Sequence, residues 1–478
     1  MLPDDVLLQI FNSHGYYDIF ADERQKVWQT LVHVCRRWRC IVFGSPRRLN
    51  LQLVCTPRTP ASLRDMLNVW PALPLIMSGE GGYATGGVDD IVAVLERNDH
   101  VCEIGLTNIP YSDLEILLAT LQQPFPELTR LLLYWADEME YWDDEMEYWD
   151  DETEHWDDET EFIVPDSFLG GSAPRLQSIQ LGLVPFPGLP KLLLSATHLV
   201  DLQLDDIPHS GYFPPEAMVT ALSASTSLDS LSLQFQSPRS CPDWASRRPP
   251  PSTRSVLPVL TNFVFKGVSE YLEDLVACID TPQLSHLDIT FFNDTVFDTP
   301  QLVQFINRTP TSNAFEEAHI FLQNGEANVS FLSKIFVYGK LRLKVTILCE
   351  GLDWQVSSLG QVCTSCLPLL SVLENLYINL SHSQPDWKDS IENGLWPELL
   401  RPFTAVKNFY LSEDAASHIA PAVQELCVEG RTTEVLPTLQ NIFLRGPESS
   451  GPVQEGIGQF VDARQVAGHS IAVSRWNN

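Results

Sequence analysis

Only one short cysteine motif in this chain has a spacing that could support chemistry. Cys363-Thr-Ser-Cys366 matches half of a zinc or redox site, but a structural zinc site needs four ligands, and no second pair or histidine cluster follows. The sequence contains no Gly-x-Ser-x-Gly and no His-Glu-x-x-His, and its 11 histidines do not pair with a nucleophile. We expect no catalytic residue, metal or cofactor, and interpret the motif as packed thiols. A hidden enzyme is the alternative.

A second chemically unusual segment is an acidic insert over residues 134–161. It begins Tyr134-Trp-Ala-Asp-Glu-Met-Glu140, continues in three near copies, and holds fifteen Asp and Glu without a Lys or Arg. Like charges four residues apart disfavour a free helix, so the simplest interpretation is a multiplied, solvated loop. The functional alternative is a binding segment that attracts a basic partner, anchored by one tryptophan from each copy: Trp135, Trp142, Trp149 and Trp156. Weak calcium binding is a third possibility, although the ligand order of an EF-hand is missing.

Charge and hydropathy restrict the classes of partner. The 62 acidic and 30 basic side chains give a net charge of −32, which repels nucleic-acid phosphates. No apolar run reaches the length of about 18 residues that a membrane span needs, and the start has no basic, apolar leader pattern. We therefore expect a cytoplasmic or nuclear protein that binds no nucleic acid or membrane. Its ten cysteines should be reduced and mostly buried.

The first block of the chain, residues 1–48, has a helical pattern. Asp4 and Asp5 stand where a helix begins, and Val6, Leu7, Ile10 and Phe11 follow as one apolar stripe. A second stripe contains Trp28, Leu31, Val34, Cys35, Trp38, Ile41 and Val42 before Gly44 and Pro46 end the helix. Two such helices are too short to enclose a core alone, so they need a further element or a partner. A helical cap on the rest of the fold is the simpler alternative.

These two segments resemble the F-box. The resemblance is carried by residues 2–11, Leu-Pro-Asp-Asp-Val-Leu-Leu-Gln-Ile-Phe, and by Val34-Cys-Arg-Arg-Trp38. It implies docking on the Skp adaptor of a Skp–cullin–F-box (SCF) ubiquitin ligase. The implied adaptor-binding residues are Leu2, Pro3, Val6, Leu7, Ile10, Phe11, Leu31, Val34, Cys35 and Trp38. More broadly, the chain is similar to F-box-like proteins with degenerate leucine-rich repeats that are expanded in mushroom-forming fungi, on phrases such as Phe43-Gly-Ser-Pro-Arg-Arg-Leu49 and Ala472-Val-Ser-Arg-Trp476.

From about residue 100 the sequence repeats a strand-like phrase with apolar residues at positions 1, 4 and 6. The copies begin at Val101, Leu128, Leu176, Leu199, Leu228, Leu260, Leu284, Phe315, Leu373, Val406 and Leu439, with a degraded copy near Leu341 to Ile347. Spacings near the leucine-rich-repeat period predict one short strand per phrase, each stacked parallel on the next. Segments such as 113–121 and 215–223 have helical spacing and should return the chain.

We therefore predict an α/β protein with a helical head and an irregular leucine-rich-repeat solenoid. Its parallel strands should line the concave face, with helices and loops outside. The expected divisions are the head (1–48), a connection (49–99), the solenoid (100–450, with a Pro/Arg-rich loop at 237–255) and a cap (451–478). The expected function is an SCF substrate adaptor that binds the Skp adaptor and cullin ligase through the head and a protein substrate through the solenoid. The alternative is a repeat scaffold or inhibitor that binds a basic protein.

Overall fold

A computed structural model describes the α/β architecture of most of the chain. The described residues are 2–14, 30–44, 53–56, 67, 73–80, 87–135, 162–240, 254–292, 297–309, 315–332, 342–365, 367, 370, 372–381, 394–428, 430–445 and 451–476. They form two compact units. The first is Met1–Phe213 with Thr220–Thr226, and the second is Pro214–Val219 with Ser227–Asn478.

The first unit begins with the helical head and continues into a parallel sheet. Its helices and strands are α1 Asp4–His14, α2 Arg36–Gly44, β1 Leu53–Cys55, β2 Leu75–Glu80, α3 Gly87–Leu95, β3 Val101–Ile109, α4 Tyr111–Thr120, β4 Arg130–Trp135, β5 Ser178–Gly182, α5 Leu189–Leu193 and β6 Asp201–Ile207. Residues 30–34 are also helical. Strands β1 to β6 pair in chain order, and every pair is parallel. The first two strands lie in the segment that the sequence had assigned to a connection.

The second unit contains the remaining repeats. Its elements, beginning with a helix at the division between the units, are α6 Pro215–Leu222, β7 Ser230–Phe235, β8 Ser255–Val256, β9 Asn262–Gly267, α7 Ser269–Ala277, β10 Ile279–Asp280, β11 His286–Phe291, α8 Pro300–Arg308, β12 Glu317–Gln323, β13 Glu326–Leu332, β14 Arg342–Leu348, α9 Leu352–Ser365, β15 Asn375–Leu380, α10 Leu395–Leu400, β16 Asn408–Leu411, α11 Glu413–Val428, β17 Asn441–Leu444, α12 Pro452–Val466 and β18 Ala472–Arg475. The main sheet has the order β7-β9-β11-β14-β13-β12-β15-β16-β17-β18, and β8 pairs separately with β10.

The repeat phrases determine the strand register. Position 4 of one phrase pairs with position 4 of the next, as Leu131 does with Ile179, and Leu231 with Phe263. These side chains are almost completely buried, because positions 4 and 6 project to the same face of a strand. Stacked parallel strands thus form continuous apolar rows. The predicted α/β class, with strands at the phrases and helices between them, is confirmed.

One part of the second unit departs from the predicted parallel order. Strands β12 and β13 form an antiparallel hairpin, and β13 also pairs antiparallel with β14. As a result β14, from the degraded phrase, pairs parallel with β11, and β12 pairs parallel with β15. The prediction that each phrase stacks directly on the preceding one is wrong here, since the short connection Asn324-Gly325, with Gly325 at φ 75°, turns the chain back on itself.

Left-handed residues recur just after strand phrases in the first unit. Asn108, Leu183 and Asp206 have φ values of 52°, 59° and 47°, and each is the eighth residue of its phrase. Only one is the asparagine that favours this conformation. The turn is therefore a property of the repeat geometry and does not require one residue type.

The C-terminal segment, predicted as a cap, contains a helix and a strand. Helix α12 begins with Pro452 at its first turn, and β18 pairs parallel with β17. Gly456 lets α12 approach α11 closely, because a Cβ at this position would lie 2.9 Å from the Ala420 carbonyl oxygen. Across the described ranges of the chain, every helix is too short or too polar to cross a membrane.

Candidate protein-binding surfaces

An aromatic pair, an ion pair and hydrogen bonds to backbone carbonyls connect the described segments of the head. Phe11 of α1 and Trp38 of α2 meet edge to face with ring centroids 4.7 Å apart. Arg37 Nη2 donates to Asp4 Oδ1 at 2.5 Å and also to the Leu2 carbonyl. Arg39 Nε donates to the Val32 carbonyl at 3.0 Å. These contacts place α1 beside α2 and the helical residues 30–34.

The first helix buries one side and exposes another. Leu7, Leu8 and Phe11 are buried, and these three residues point inward because they share one helix face. Leu2, Val6 and Ile10 remain 52%, 37% and 42% exposed. The predicted apolar stripe of Val6, Leu7, Ile10 and Phe11 is thus divided by packing: Leu7 and Phe11 lie in the head core, whereas Val6 and Ile10 are exposed.

The second F-box-like segment contributes both core and surface. Val34 is 56% exposed, Cys35 is exposed, and Leu31 and Trp38 are half-buried. Pro3 of the first segment is also exposed. We call the exposed aliphatic set Leu2, Val6, Ile10 and Val34 the head ridge. The sequence motif contained all four residues, but it did not separate them from the core, to which Leu8 and Val32 also belong.

The second unit presents a continuous row of side chains on the sheet face opposite its apolar rows. Register pairs Asp288 with Lys344, Lys344 with Ser330, and Ser330 with His319. It then continues from His319 through three aromatic residues: Tyr377, Tyr410 and Phe443. In the parallel strands that contribute to it, this row is position 5 of each phrase, which lies between the two buried positions. Position 5 was not part of the predicted phrase, although its aromatic residues are a detectable signal in the sequence.

The aromatic residues of this row stack across their strands. Ring centroids of His319 and Tyr377, and of Tyr377 and Tyr410, are 4.2 Å apart, and those of Tyr410 and Phe443 are 4.5 Å apart. Their planes lie within 10° of parallel, as the spacing of about 4.8 Å between adjacent strands allows. We call these four residues the aromatic row. Burial, Glu317 and a hydrogen bond with Tyr410 raise the pKa of Tyr377, so its hydroxyl stays protonated.

An asparagine ladder runs beside the aromatic row. Asn408 Nδ2 donates to Asn375 Oδ1 at 2.8 Å, and Asn441 Nδ2 donates to Asn408 Oδ1 at 2.8 Å. These hydrogen bonds link asparagines on adjacent strands. Each asparagine lies two positions before the aromatic residue of its own strand. The ladder and the stacked rings fix the side chains of this face in one arrangement.

The corresponding face of the first unit is polar and acidic. The Tyr134 hydroxyl donates to Asp205 Oδ2, and Gln203 Nε2 donates to the same oxygen at 2.6 Å. Burial, followed by the hydrogen bond to Asp205, raises the pKa of Tyr134. Gly182 leaves room for this arrangement, because a Cβ there would overlap the Tyr134 ring. The first unit therefore has no aromatic row among its described strands.

Several predicted features fall partly or wholly outside the described residues. Trp135 is buried at the end of β4 and only 8% exposed. The prediction that Trp135 anchors a basic partner at the surface is therefore wrong. The remainder of the acidic insert, residues 136–161, and most of the Pro/Arg-rich loop, residues 241–253, lie outside the described ranges. Cys363 is buried in α9, whereas Cys366 is not described.

The described cysteines show why thiol chemistry has little support. Eight are described, of which Cys35 and Cys40 are exposed; the remaining six are buried or partly buried, as predicted for most. Burial raises the pKa of Cys55 and that of Cys102 to about 12, which leaves the unreactive thiol form at neutral pH. Within the described ranges, no three His, Cys, Asp or Glu residues are grouped as metal ligands.

No protein-family description matches the chain. No curated protein matches it either. Among solved structures, it is similar to the leucine-rich repeat-containing protein LegL7 from Legionella pneumophila, with 12% identity and a TM-score of 0.27, over 86% of this chain and 97% of that one.

Proposed function

We propose that this chain is a substrate-recognition adaptor of an SCF-type ubiquitin ligase. Its head would bind the Skp adaptor, which links it to the cullin, and its repeats would bind a protein substrate. The observation that carries the proposal is the head ridge. Leu2, Val6 and Ile10 are spaced four residues apart, so they line one side of α1 and its N-terminal approach.

Burial of the ridge against another protein would be favourable. Burying each large aliphatic side chain contributes about 1.5–3 kcal/mol, and a row of exposed aliphatic side chains is a candidate interaction site. The resemblance to the F-box supplies the partner class. Arg36 and Arg39 of α2 are exposed, so they would favour approach to an acidic adaptor surface. The chain would perform no bond chemistry and would act by raising the local concentration of its substrate.

Capture of the Skp adaptor from the same cells tests the proposal. The parent chain should co-purify with the adaptor in stoichiometric amount. Val6→Asp/Ile10→Asp should lower the affinity about 100-fold or more, because it places two charges in an apolar contact. Both positions are exposed, so circular dichroism should show an unchanged fold. Leu7→Ala is a poorer probe, since Leu7 belongs to the head core.

A matched control removes exposed valines elsewhere. Val428→Asp/Val466→Asp changes two side chains that are 87% and 90% exposed on helices of the second unit. This variant should capture the adaptor as the parent does. A well-folded parent that captures none, or equal capture by the ridge variant, contradicts the proposal.

A scaffold that binds a basic protein is the second candidate. It is favoured by the acidic face of the first unit, where Asp201 and Asp205 lie on one face of β6, on either side of Gln203, and by the net charge of −32. Such binding would weaken steeply as the salt concentration rises, and Val6→Asp/Ile10→Asp would not affect it. The ridge variant and its matched control therefore distinguish the two candidate functions.

A further inference from the structure

The aromatic row of the second unit is partly covered by a residue of the same chain. The backbone N–H of Trp476, directly after β18, donates to the Leu444 carbonyl at 3.3 Å. The centroid of its ring lies 5.5 Å from that of Tyr410 and 6.0 Å from that of Tyr377, at interplanar angles of 80° and 70°. Because β16 and β15 are two and three strands away from β18, the indole ring must extend over the sheet face to reach these tyrosines.

The geometry of this contact indicates what the row can bind. The rings of Tyr377 and Tyr410 stack on their neighbours through their faces, so their edges are the parts that a ligand can reach from the open sheet face. A ring edge carries the positive part of the aromatic quadrupole and a ring face the negative part, which makes an edge-to-face contact favourable. Trp476 makes this contact with both tyrosines. An aromatic side chain is therefore the occupant that the row accepts within the chain itself.

The centre of this sheet face does not select a ligand by charge. On β15, β16 and β17 the asparagine ladder and the aromatic row form two adjacent rows of uncharged side chains: Asn375, Asn408 and Asn441, and Tyr377, Tyr410 and Phe443. One charge of each sign borders these rows, because Glu317 is in register with Asn375 and Arg445 directly follows β17. An acidic or a basic segment would meet both attraction and repulsion here, whereas contact with an uncharged aromatic segment would not depend on these charges.

The indole ring of Trp476 is not fully satisfied in its covering position. Burial leaves its Nε1 without a hydrogen-bond acceptor among the described residues, and a buried donor without an acceptor destabilises the covered state. The Arg445 guanidinium lies 5.8 Å from the ring centroid. Because Arg445 is exposed, this cation–π contact is of the weak, solvated kind. Withdrawal of the ring would return its N–H to water and expose the tyrosine edges.

The strand that carries Trp476 is suited to such a withdrawal. Strand β18 stands at the end of the described sheet, where it pairs with β17. All four of its residues are exposed, so the strand buries little apolar surface. Elements of this kind open locally at a lower free energy than core strands do.

We propose that the aromatic row is a docking site for an uncharged, aromatic segment of a protein partner, and that Trp476 is an internal cover which this segment displaces. An aromatic side chain of the partner would take the place of the indole ring against Tyr377 and Tyr410. Phe321, which is 38% exposed and stacks on His319 with centroids 6.3 Å apart, extends the aromatic surface on β12. The inference deepens the proposed function, because it names the chemistry of the substrate and rests on the repeats being the substrate-binding part.

Two labelled, uncharged peptides of one length test the inference by fluorescence anisotropy with the full chain. The first carries Trp-Ser-Trp between flanks of Gly and Ser, and the second replaces both Trp with Leu. The Leu peptide should bind at least about fivefold more weakly than the Trp peptide, because it supplies apolar area but no ring. Raising the salt concentration from about 50 to 500 mM should change the affinity for the Trp peptide by less than about twofold, which distinguishes aromatic from ionic binding.

Variants of the cover test whether Trp476 competes with the peptide. Trp476→Ala should bind the Trp peptide at least about tenfold more tightly than the parent does, because the row is then open in every molecule. Adding Tyr410→Leu to this variant should cancel the gain. Arg445→Gln, a change at an exposed position that should leave the fold intact, should strengthen binding about threefold by loosening the cover. Trp354→Ala, which removes a tryptophan that is 56% exposed on α9, should bind as the parent does.

Circular dichroism establishes which variants are folded, and Arg445→Gln decides the matter if Trp476→Ala is not. The inference is overturned if the folded cover variants bind the Trp peptide no more tightly than the parent. An equal gain in Trp354→Ala, equal binding of the two peptides, or no binding of the Trp peptide to any folded variant would overturn it as well.

Adaptor capture keeps the two proposals separate. Trp476→Ala should retain capture of the Skp adaptor, and Val6→Asp/Ile10→Asp should retain binding of the Trp peptide. A chain that captures the adaptor but shows no gain on removal of the cover would overturn only the inference about the substrate.

Discussion

At the scale of single residues, His286 links the stability of the second unit to pH. It is half-buried on β11, and burial lowers its pKa below the ordinary value of 6.5. Arg342 and Lys344 lower the pKa further, whereas Asp288 opposes them. The folded protein therefore binds a proton at this residue less readily than the unfolded chain does, and the free energy of unfolding must fall as the pH drops below about 6.5.

Replacing His286 should remove this contribution. We expect His286→Asn to lose stability less steeply than the parent between about pH 7 and pH 5, as measured by urea denaturation at several pH values. His198→Asn, which removes an exposed histidine of the first unit, should follow the parent curve. A parent and a His286→Asn variant with parallel pH dependence would show that His286 titrates alike in both states.

Sequence pattern predicted which strand residues are buried but not what the opposite face does. Positions 4 and 6 of each phrase are apolar by type, so residues such as Leu376 and Ile378 could be assigned to the core. Tyr377 between them could not be assigned a role, because its stacking depends on which strand pairs with β15. In the head, Val6 and Leu7 are alike in hydropathy, and only the packing of α1 on α2 separates the ridge from the core.

At the scale of elements, a buried carboxylate joins two successive helices of the second unit. Glu273 of α7 is 4% exposed, and its carboxylate accepts hydrogen bonds from the backbone N–H groups of Gln301 and Leu302 at 2.9 and 2.7 Å. These groups lie in the first turn of α8, where backbone donors have no partner within the helix. Thr299, at the N-cap position, makes no side-chain capping bond there, so Glu273 caps α8 from a neighbouring repeat.

Removal of this cap should destabilise the second unit. Glu273→Gln keeps the size of the side chain but replaces one acceptor oxygen with an amide donor facing a backbone N–H. We expect a loss of about 1–3 kcal/mol in the free energy of unfolding, measured by urea denaturation. Glu398→Gln, an exposed carboxylate in the first turn of α10, should cost less than about 1 kcal/mol. Similar losses for both variants would contradict the capping role.

The order of strands was the element-level feature that sequence could not predict. The phrase beginning at Phe315 has the same apolar pattern as its neighbours, so a parallel position next to β11 was expected. The turn at Gly325 instead inserts β13, whose two faces are both largely buried and whose sequence lacks the phrase. The left-handed turns could not be predicted from the sequence either, because Leu183 has no intrinsic preference for the conformation it adopts.

At the scale of the whole molecule, charge is distributed by region. Residues 134–161 carry fifteen acids, and the corresponding sheet face of the first unit is acidic. Composition alone suggested a basic partner for the repeats. In the second unit the same face carries both signs, because the strand register places Arg342 and Lys344 on one face with Asp288 and Glu317. These residues come from strands far apart in the sequence, which is why this mixture of charges was not visible from composition.

Hydrogen–deuterium exchange can determine whether the proposed adaptor-binding surface is the head ridge. Amide exchange would be measured for the full chain alone and with saturating Skp adaptor. We expect slower exchange at α1, residues 30–34 and α2 in the presence of the adaptor, with the strands of the second unit unchanged. Protection of those repeat strands with the head unaffected, or no protection anywhere at a saturating adaptor concentration, would contradict the proposal.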